Sequence, residues 1–421
     1  MLQYLKIFLI CISVYFILHT SIVFGIFHGN YHEILSSAKD FLWISIVISI
    51  YIHNIQHIRK YLSIHIKESI TILSMLSIWI IVTYYQHQDL HVFIKNSLIG
   101  IKYGFYFMIV FLSAGWIWYI WSQEDNNVHW EKKGIKKINQ FIFFIRNLSL
   151  FILLSGFVIQ WSKVLFPELR YSIGFTTLNI YKAGIAPPIY YLTKHDWIMR
   201  LSGLFSWPNN FAFWLIGLTP LLMHTKTLWQ KVLVWISGIA NLGRVIFVWW
   251  MTEAAMVASS KTRIRTHLFL VGLGIWLIIW LFGYITYLKW ESTTEHFQLG
   301  IDAIHKFMIQ PRWYGLGSSG PGVHRNGSLL PENYYLQLAL DYWFAWPLLF
   351  WLFWFFIIKT IIRNSTKDQV WMTNILFLQG FVGMLVAGIF LHVFEDSMVN
   401  YLFFIPWGIV YWYSIWKLPQ Q

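Results

Sequence analysis

The sequence predicts an all-α, polytopic integral membrane protein with about twelve transmembrane helices. Only 12% of the 421 residues are charged and 57% are hydrophobic, whereas an average soluble domain carries roughly 25% charged residues. Long stretches without any charge are sufficient to cross a bilayer, which takes about 20 helical residues. These apolar stretches are continuous rather than alternating, so we expect helices and not the strands of a membrane β-barrel.

The first apolar stretch, Leu5–Phe27, is interpreted as a retained transmembrane helix. Its apolar core is too long for a signal peptide, and no small-residue cleavage site follows it. No soluble domain, internal repeat or low-complexity tract is evident, so residues 1–421 are treated as a single transmembrane domain. The further predicted spans are Phe41–His53, Ser69–Tyr85, Ser97–Trp121, Asn139–Trp161, Asn209–Met223, Val232–Ala240, Val245–Ser259, Leu268–Leu288, Leu338–Ile362, Trp371–His392 and Tyr401–Trp416.

Lysine and arginine residues predict the orientation of these helices. Each of their clusters follows an even-numbered span, and short cytoplasmic connections are enriched in these two residues. Both termini are therefore predicted to be cytoplasmic. The same bias accounts for much of the net charge of +13, so we do not interpret that charge as a nucleic-acid-binding surface. The basic clusters are Arg59, Lys60 and Lys67; Glu131–Lys137; Lys226 and Lys231; Lys261–Arg265; and Lys359, Arg363 and Lys367.

Two long connections, residues 162–208 and 289–337, are predicted on the extracytoplasmic side. Connections longer than about 12–15 residues are usually functional or disordered, and the aromatic content of these two favours chains packed on the membrane surface. No metal site is expected. Cys11 lies alone inside the first span, and the 16 histidines are scattered without a third ligand at a suitable spacing.

The first candidate site residue is Arg200, at the end of the first long connection. Pro208 suits the first turn of a helix because its missing N–H costs nothing there. Asn209 adds a side-chain amide at the same boundary. The alternative is that Arg200 extends to lipid headgroups without binding a specific ligand.

The second candidate is Arg244, which follows a turn predicted at Asn241 and Gly243. It is flanked by apolar residues near the predicted outer surface. An arginine buried among helices is costly, so it indicates an anionic partner. The alternative is a structural ion pair with Glu253, about 14 Å further along a helix.

The third candidate region is the glycine-rich segment that contains His324 and Arg325 and ends at Glu332. Glycines make such a segment pliable enough to lie close to a ligand. Glu332 follows Pro331 at the predicted start of a helix, where a carboxylate can accept a proton from a hydroxyl. The alternatives are a glutamate that only stabilises the helix dipole and a solvated histidine.

Two arginines and one carboxylate are therefore predicted on one face of the membrane. The planar guanidinium group can bind two phosphate oxygens at once, and a carboxylate can activate an attacking hydroxyl. This combination favours transfer from a phosphate-activated, lipid-borne donor to an alcohol.

The C-terminal half of the chain, from Arg200 to Trp416, resembles the bacterial O-antigen ligase and O-antigen polymerase superfamily. The first half is similar only in its hydropathy. Three short blocks in the same order along the spans carry the resemblance. They are Arg200 with Gly203, Pro208 and Asn209; Arg244 after its turn; and Gly315–Gly317 followed by Glu332–Leu336.

The resemblance implies a GT-C-like, inverting glycosyltransferase of the inner (cytoplasmic) membrane that uses no metal or cofactor. Its active site faces the extracytoplasmic side. The donor is a glycan on undecaprenyl pyrophosphate. Ligases of the family transfer it to a lipid A core sugar of lipopolysaccharide, and polymerases transfer it to another lipid-linked repeat in polysaccharide biosynthesis.

The resemblance also implies roles for individual residues. Many family members carry histidine at the position of Glu332, which leaves His324 as a rival base and leaves open whether the chain is a ligase or a polymerase. The candidate base is Glu332 or His324, the pyrophosphate-binding residues are Arg200, Arg244, Arg312 and Arg325, and the supporting residues are Asn209, Asn333 and Tyr335.

Two other functions remain open from the sequence. A transporter or flippase of lipid-linked glycans also needs cations and many spans, but its site usually lies near the membrane midplane between inverted repeats. A transferase that uses polyprenyl monophosphate sugars commonly has acidic residues in its first outer loop. Here that loop, His28–Asp40, contains Glu33 and Asp40 but no adjacent acidic pair.

Overall fold

A computed structural model of the chain describes residues 2–27, 32–55, 66–86, 104–124, 130–172, 200–202, 208–224, 227–241, 290–309, 333–342, 345–363, 369–389 and 397–416, with single positions between these ranges. These residues are almost entirely helical, and no strand occurs among them. The all-α prediction is confirmed for this part of the chain.

The α-helices of the described residues follow one another along the chain. In chain order they are α1 (Leu2–Thr20), α2 (His32–His53), α3 (Ile66–Gln86), α4 (Tyr106–Glu124), α5 (Trp130–Leu165), α6 (Pro167–Ser172), α7 (Pro208–Met223), α8 (Leu228–Asn241), α9 (Trp290–Ile309), α10 (Tyr334–Tyr342), α11 (Ala345–Arg363), α12 (Gln369–Gly388) and α13 (Ile405–Trp416). A π-helical segment, Ser21–Ile26, extends α1. A helical turn, Ser397–Val399, and a second π-helical segment, Asn400–Phe404, precede α13.

Within the described residues, three helices are long and apolar enough to cross a membrane: Ile66–Tyr85, Gly134–Leu165 and Val370–Gly388. Gln3–Tyr15 and Tyr106–Ile120 are shorter apolar helices. The predicted spans Val245–Ser259 and Leu268–Leu288 lie almost wholly outside the described residues. The structure thus contains membrane-type helices, while the number of spans stays a prediction.

The second long connection, predicted at 289–337, includes a complete helix of 20 residues, α9. Ile301, Ile304 and Met308 recur on α9 at spacings of three and four, and all three are exposed. That spacing is typical of an amphipathic helix, and an exposed apolar stripe suits a helix lying in a membrane interface. Much of this connection is therefore an ordered helix that sequence reasoning treated as a loop.

The predicted span Leu338–Ile362 falls on α10 and α11, and residues 343–344 between these two helices lie outside the described residues. The first outer loop is also shorter than predicted, because α2 begins at His32 and carries Asp40.

The centre of the bundle is formed by two helix pairs whose backbones approach closely at glycines. Helices α7 and α12 meet at Gly217 and Gly380, where a Cβ on Gly380 would collide with the carbonyl group of Gly217. Helices α4 and α13 meet where Gly408 lies against the carbonyl of Phe111. Small residues permit such contacts between apolar helices, which are held mainly by van der Waals packing.

Substitution of Gly380 by alanine is expected to destabilise the fold by about 3 kcal/mol, because the added methyl group would push α7 and α12 apart in a core with little free space. Thermal unfolding in detergent, followed by circular dichroism, would measure the loss. The matched control is Gly300→Ala on α9, where a Cβ meets nothing within 4 Å. Equal stability of the two variants would contradict the close approach.

Three sets of contacts determine which helix ends lie together. Gln160 of α5 donates to the carbonyl of Arg200 before α7 begins (3.4 Å), and Arg146 donates to the carbonyl of His224 after α7 ends (3.2 Å). Helices α5 and α7 are therefore antiparallel.

Ring contacts show that α13 and the π-helical segment before it run parallel to α4. Phe107 lies 5.2 Å from Phe404, and Trp118 lies 5.6 Å from Tyr413. On α12, Asn374 donates to the carbonyl of Val410 in α13 (3.3 Å). Phe381, further along α12, packs on Phe404, which precedes α13. Helices α12 and α13 are therefore antiparallel.

Because residues 125–129 alone join α4 to α5, the end of α4 and the start of α5 lie within about 20 Å of each other. The start of α7 and the end of α12 consequently lie at the same end of the bundle. We call this the Arg200 end.

Candidate functional site

Arg200 is held at the start of α7 by two hydrogen bonds. Its Nη2 donates to Oδ1 of Asn209 in the first turn of α7 (3.0 Å), and its Nε donates to the backbone carbonyl of Asn241, the last residue of α8 (3.1 Å). Both acceptors are neutral oxygens, and these two bonds orient the guanidinium group.

Asn241 ties the segment before α7 to the end of α8. Its Nδ2 donates to the carbonyls of Leu201 and Pro208, each at 2.7 Å, and the amide of Leu201 donates to the carbonyl of Ala240 (2.8 Å). The Asn241 side chain is fully buried. The sequence indicated Asn241 only as a turn residue. The one feature that could have indicated its buried hydrogen bonds is its position at the end of an apolar helix.

Substitution of Asn241 by leucine is expected to destabilise the protein by about 2–3 kcal/mol, because two buried carbonyl groups would lose their donors. Chemical denaturation in detergent would measure the change. Asn54→Leu is the control, since Asn54 is only half-buried and makes one local bond to the carbonyl of Ile50 (2.9 Å). A loss no larger than that of Asn54→Leu would show that Asn241 does not hold the segment.

The start of α7 combines several favourable features for an anion. Pro208 occupies the first helical position, and the N–H groups of the first turn have no acceptors within the helix. The helix dipole places partial positive charge at the same point. The guanidinium group of Arg200 adds a full charge beside it.

The start of α10 is anchored to the end of α12. Asn333 caps α10, since its Oδ1 accepts a hydrogen bond from the amide of Leu336 (2.9 Å). The hydroxyl of Tyr335 donates to the carbonyl of Leu385 (2.7 Å), near Gly388. Burial raises the pKa of the Tyr335 phenol, so the phenol remains a neutral donor at physiological pH.

These two groups of residues lie at one end of the bundle. From the crossing of Gly217 and Gly380, α7 and α12 each continue for about 13 Å to the Arg200 end. The structure thus brings Arg200 and Asn209 into contact and places Asn333 and Tyr335 at the same end. The other predicted site residues lie outside the described residues: Arg244, Arg312, His324, Arg325 and Glu332.

Two further cations, Lys163 and Arg170, lie at this end of the bundle and were not predicted as site residues from the sequence. Lys163 of α5 is only 4% exposed, and its Nζ lies 5.2 Å from the ring centre of Phe175. Arg170 of α6 lies with its Cζ 5.7 Å from the same ring and donates to the hydroxyl of Ser162. Burial lowers the pKa of Arg170. The one sequence feature that could have indicated this pair is two cations seven residues apart after an apolar stretch.

Asp40 belongs to a separate buried cluster. Its Oδ1 accepts a hydrogen bond from the hydroxyl of Tyr401 (2.8 Å), which is also hydrogen-bonded to the hydroxyl of Tyr106. Its Oδ2 lies 4.0 Å from Nζ of Lys39. The described contacts of Asp40 thus join α2 to the π-helical segment before α13 and to α4.

Comparison of the chain with protein-family models, with characterised proteins and with solved structures found no match. The resemblance between residues 200–416 and the O-antigen superfamily therefore depends on the three sequence blocks alone.

Proposed function

We propose that this protein is an inverting glycosyltransferase that moves a glycan from undecaprenyl pyrophosphate to an acceptor hydroxyl outside the cytoplasmic membrane. One observation supports this proposal most directly. Arg200 is oriented by Asn209 and Asn241 at the positive end of α7, and Asn333, the neighbour of Glu332, caps α10 at the same end of the bundle.

The pyrophosphate group would bind to Arg200 and the first turn of α7. Arg244 is the second candidate ligand. It follows Asn241 by three residues, so the extended chain keeps its Cα within about 11 Å of the Asn241 Cα. The Asn241 carbonyl accepts from Arg200, so this short chain length permits both arginines to contact one diphosphate. Arg312 and Arg325 are further candidates from the second long connection.

In the proposed reaction, Glu332 accepts the proton of the acceptor hydroxyl. The hydroxyl oxygen then attacks the anomeric carbon from the face opposite the pyrophosphate, and the bond between that carbon and the phosphate oxygen breaks. The anomeric configuration inverts, and undecaprenyl pyrophosphate leaves. The arginines stabilise the charge that grows on the leaving group, an effect of several kcal/mol in a site shielded from water.

The apolar helices suit a membrane protein, and the basic clusters favour cytoplasmic termini. In this proposal about twelve helices enclose the lipid carrier, and the Arg200 end faces the extracytoplasmic side. The acceptor is a glycan or glycolipid, of the ligase or the polymerase type.

A transporter or flippase of lipid-linked glycans is the alternative from another class. Transporter sites generally lie near the membrane midplane, whereas Arg200, Lys163 and Arg170 gather at one end of the bundle. A polyprenyl-monophosphate transferase is the alternative within the same class. Its acidic residue would be Asp40, whose described contacts are with Tyr401 and Lys39.

The deciding experiment uses the purified full-length protein in liposomes that contain a defined polyprenyl-pyrophosphate oligosaccharide and an acceptor. We expect a new glycosidic bond with inverted anomeric configuration, formed without a nucleotide sugar. Movement of the donor across the bilayer without bond formation would identify a flippase. Transfer from a polyprenyl monophosphate sugar alone would identify the other transferase class.

A further inference from the structure

Helix α9 packs at the Arg200 end of the bundle and carries an exposed apolar row. It lies against α10, which is bound to the end of α12 through the hydroxyl of Tyr335 and the carbonyl of Leu385 (2.7 Å). The apolar row consists of Ile301, Ile304 and Met308, which are 44%, 51% and 73% exposed. The proposed transfer reaction makes no use of this row.

A polar row runs along α9 beside the apolar row. It consists of Gln298, Asp302 and His305, which follow one another at spacings of four and three and are all exposed. Nε2 of Gln298 donates to Oδ1 of Asp302 (2.8 Å). Ile304 and His305 are adjacent in the sequence, so their side chains leave the helix about 100° apart. The described exposed surface of α9 is thus divided lengthwise into an apolar part and a polar part.

The charge content of α9 indicates that it lies along a membrane surface and does not cross the membrane. Its 20 residues extend for about 30 Å, which is long enough to cross a bilayer. Asp302 falls near the middle of the helix, however, where a charge inside hydrocarbon is costly. A helix that is amphipathic and low in net hydrophobicity lies in the plane of the interface. The charged residues of its sequence are Glu291, Glu295, Asp302 and Lys306.

The neighbouring surface of the bundle is also suited to lipid. Tyr335 of α10 stacks on Trp351 of α11 with ring centres 5.8 Å apart, and α11 has no charged residue before Lys359. An apolar surface therefore begins beside α10, the helix on which α9 packs. One bilayer accounts for this surface and for both rows of α9, because its interface has an apolar side and an aqueous side. The exposed apolar residues of α11 are Leu348, Trp351, Leu352 and Phe355.

We propose that α9 lies in the interface of the membrane at the Arg200 end, with its apolar row among the upper parts of the lipid chains and its polar row facing water. The partner of the apolar row is the phospholipid bilayer. Because α9 packs on α10, the membrane surface also sets the level of the start of α10, which Asn333 caps. The placement requires a membrane but does not depend on glycan transfer.

Fluorescence quenching of the full-length protein in vesicles tests this placement. Cys11, the only cysteine of the chain, is replaced by serine, and an NBD fluorophore is attached to a single cysteine introduced by Ile304→Cys or Met308→Cys. The matched control is His305→Cys, since His305 adjoins Ile304, is also exposed and belongs to the polar row. The vesicles contain phosphatidylethanolamine and phosphatidylglycerol, with or without a phospholipid that bears a nitroxide high on its acyl chain. Iodide is the aqueous quencher, and thermal unfolding of each labelled variant shows that it is folded.

We expect the nitroxide lipid to quench the Ile304→Cys and Met308→Cys labels roughly 3-fold more strongly than the His305→Cys label, and iodide to quench them in the opposite order. Equal quenching of all three labels by the nitroxide lipid would overturn the proposal. Protection of the Ile304→Cys label from both quenchers, lost when the protein is diluted in lipid, would identify a second copy of the chain as the partner and overturn the lipid assignment. Protein that is inactive in glycan transfer gives the same readout, so failure of this proposal and failure of the proposed function are distinguishable.

Discussion

Replacement of Glu332 by glutamine is expected to slow glycan transfer by about 10²–10⁴-fold, which is the usual loss when a general base is removed. Glutamine has nearly the same shape as glutamate but cannot accept the acceptor's proton at neutral pH. Donor binding is expected to change little, because the arginines bind the pyrophosphate. Initial rates with a labelled donor at saturating acceptor measure the first quantity, and equilibrium binding of the donor measures the second.

The matched control for Glu332 is Asp302→Asn on α9. Asp302 is an exposed carboxylate in the same long connection, and its described hydrogen bond is to Gln298 (2.8 Å). This variant should transfer glycan at the normal rate. The rival base is tested by His324→Gln. Loss of transfer in His324→Gln with normal transfer in Glu332→Gln would move the catalytic role from the carboxylate to the histidine.

Replacement of Arg200 by alanine is expected to reduce transfer by about 10²–10³-fold, the effect seen when a group that stabilises transition-state charge is removed. Asn209 and the carbonyl of Asn241 fix the plane of this guanidinium group through Nη2 and Nε. Arg200→Lys retains the charge but not the planar guanidinium group that can bind two phosphate oxygens at once, so it should recover only part of the activity. Measurement of kcat and KM separately would show whether the loss lies in transfer or in donor binding.

Arg200 also ties two helices together, so the effect on activity must be separated from an effect on stability. Arg146→Ala is the matched control, because Arg146 donates to the carbonyl of His224 at the opposite end of the same helix, α7 (3.2 Å). We expect the two variants to lose similar stability and only Arg200→Ala to lose transfer. Equal transfer by both variants would remove Arg200 from the pyrophosphate site.

Described contacts support Arg200 and Asn333 as residues of the transferase site, whereas sequence motifs alone support Arg244 and Glu332. If Arg200→Ala and Glu332→Gln were both active, the mechanism would fail as a whole. If only Arg244→Ala were active, the pyrophosphate would need another ligand, for which Arg312 and Arg325 are the remaining candidates.

Local features of the chain were predictable from its sequence. The low charge content and the continuous apolar stretches predicted an all-helical protein with membrane-type helices. Pro208 and Asn209 predicted the start of α7, where the structure places it. These predictions succeed because helix formation and helix termination depend on side chains within a few residues of one another.

Features that join distant segments were decided by the tertiary structure. The sequence does not indicate that Asn241 reaches back to Leu201 and Pro208, or that Gly217 meets Gly380. It also placed Lys163 and Arg170 in an ordinary long connection, although the two share one ring. The local sequence of each segment determined which segments are helical and apolar. Only the packing of those helices decided which polar groups share an end of the bundle, because a hydrogen bond or an electrostatic interaction depends on distance in space and not on separation along the chain.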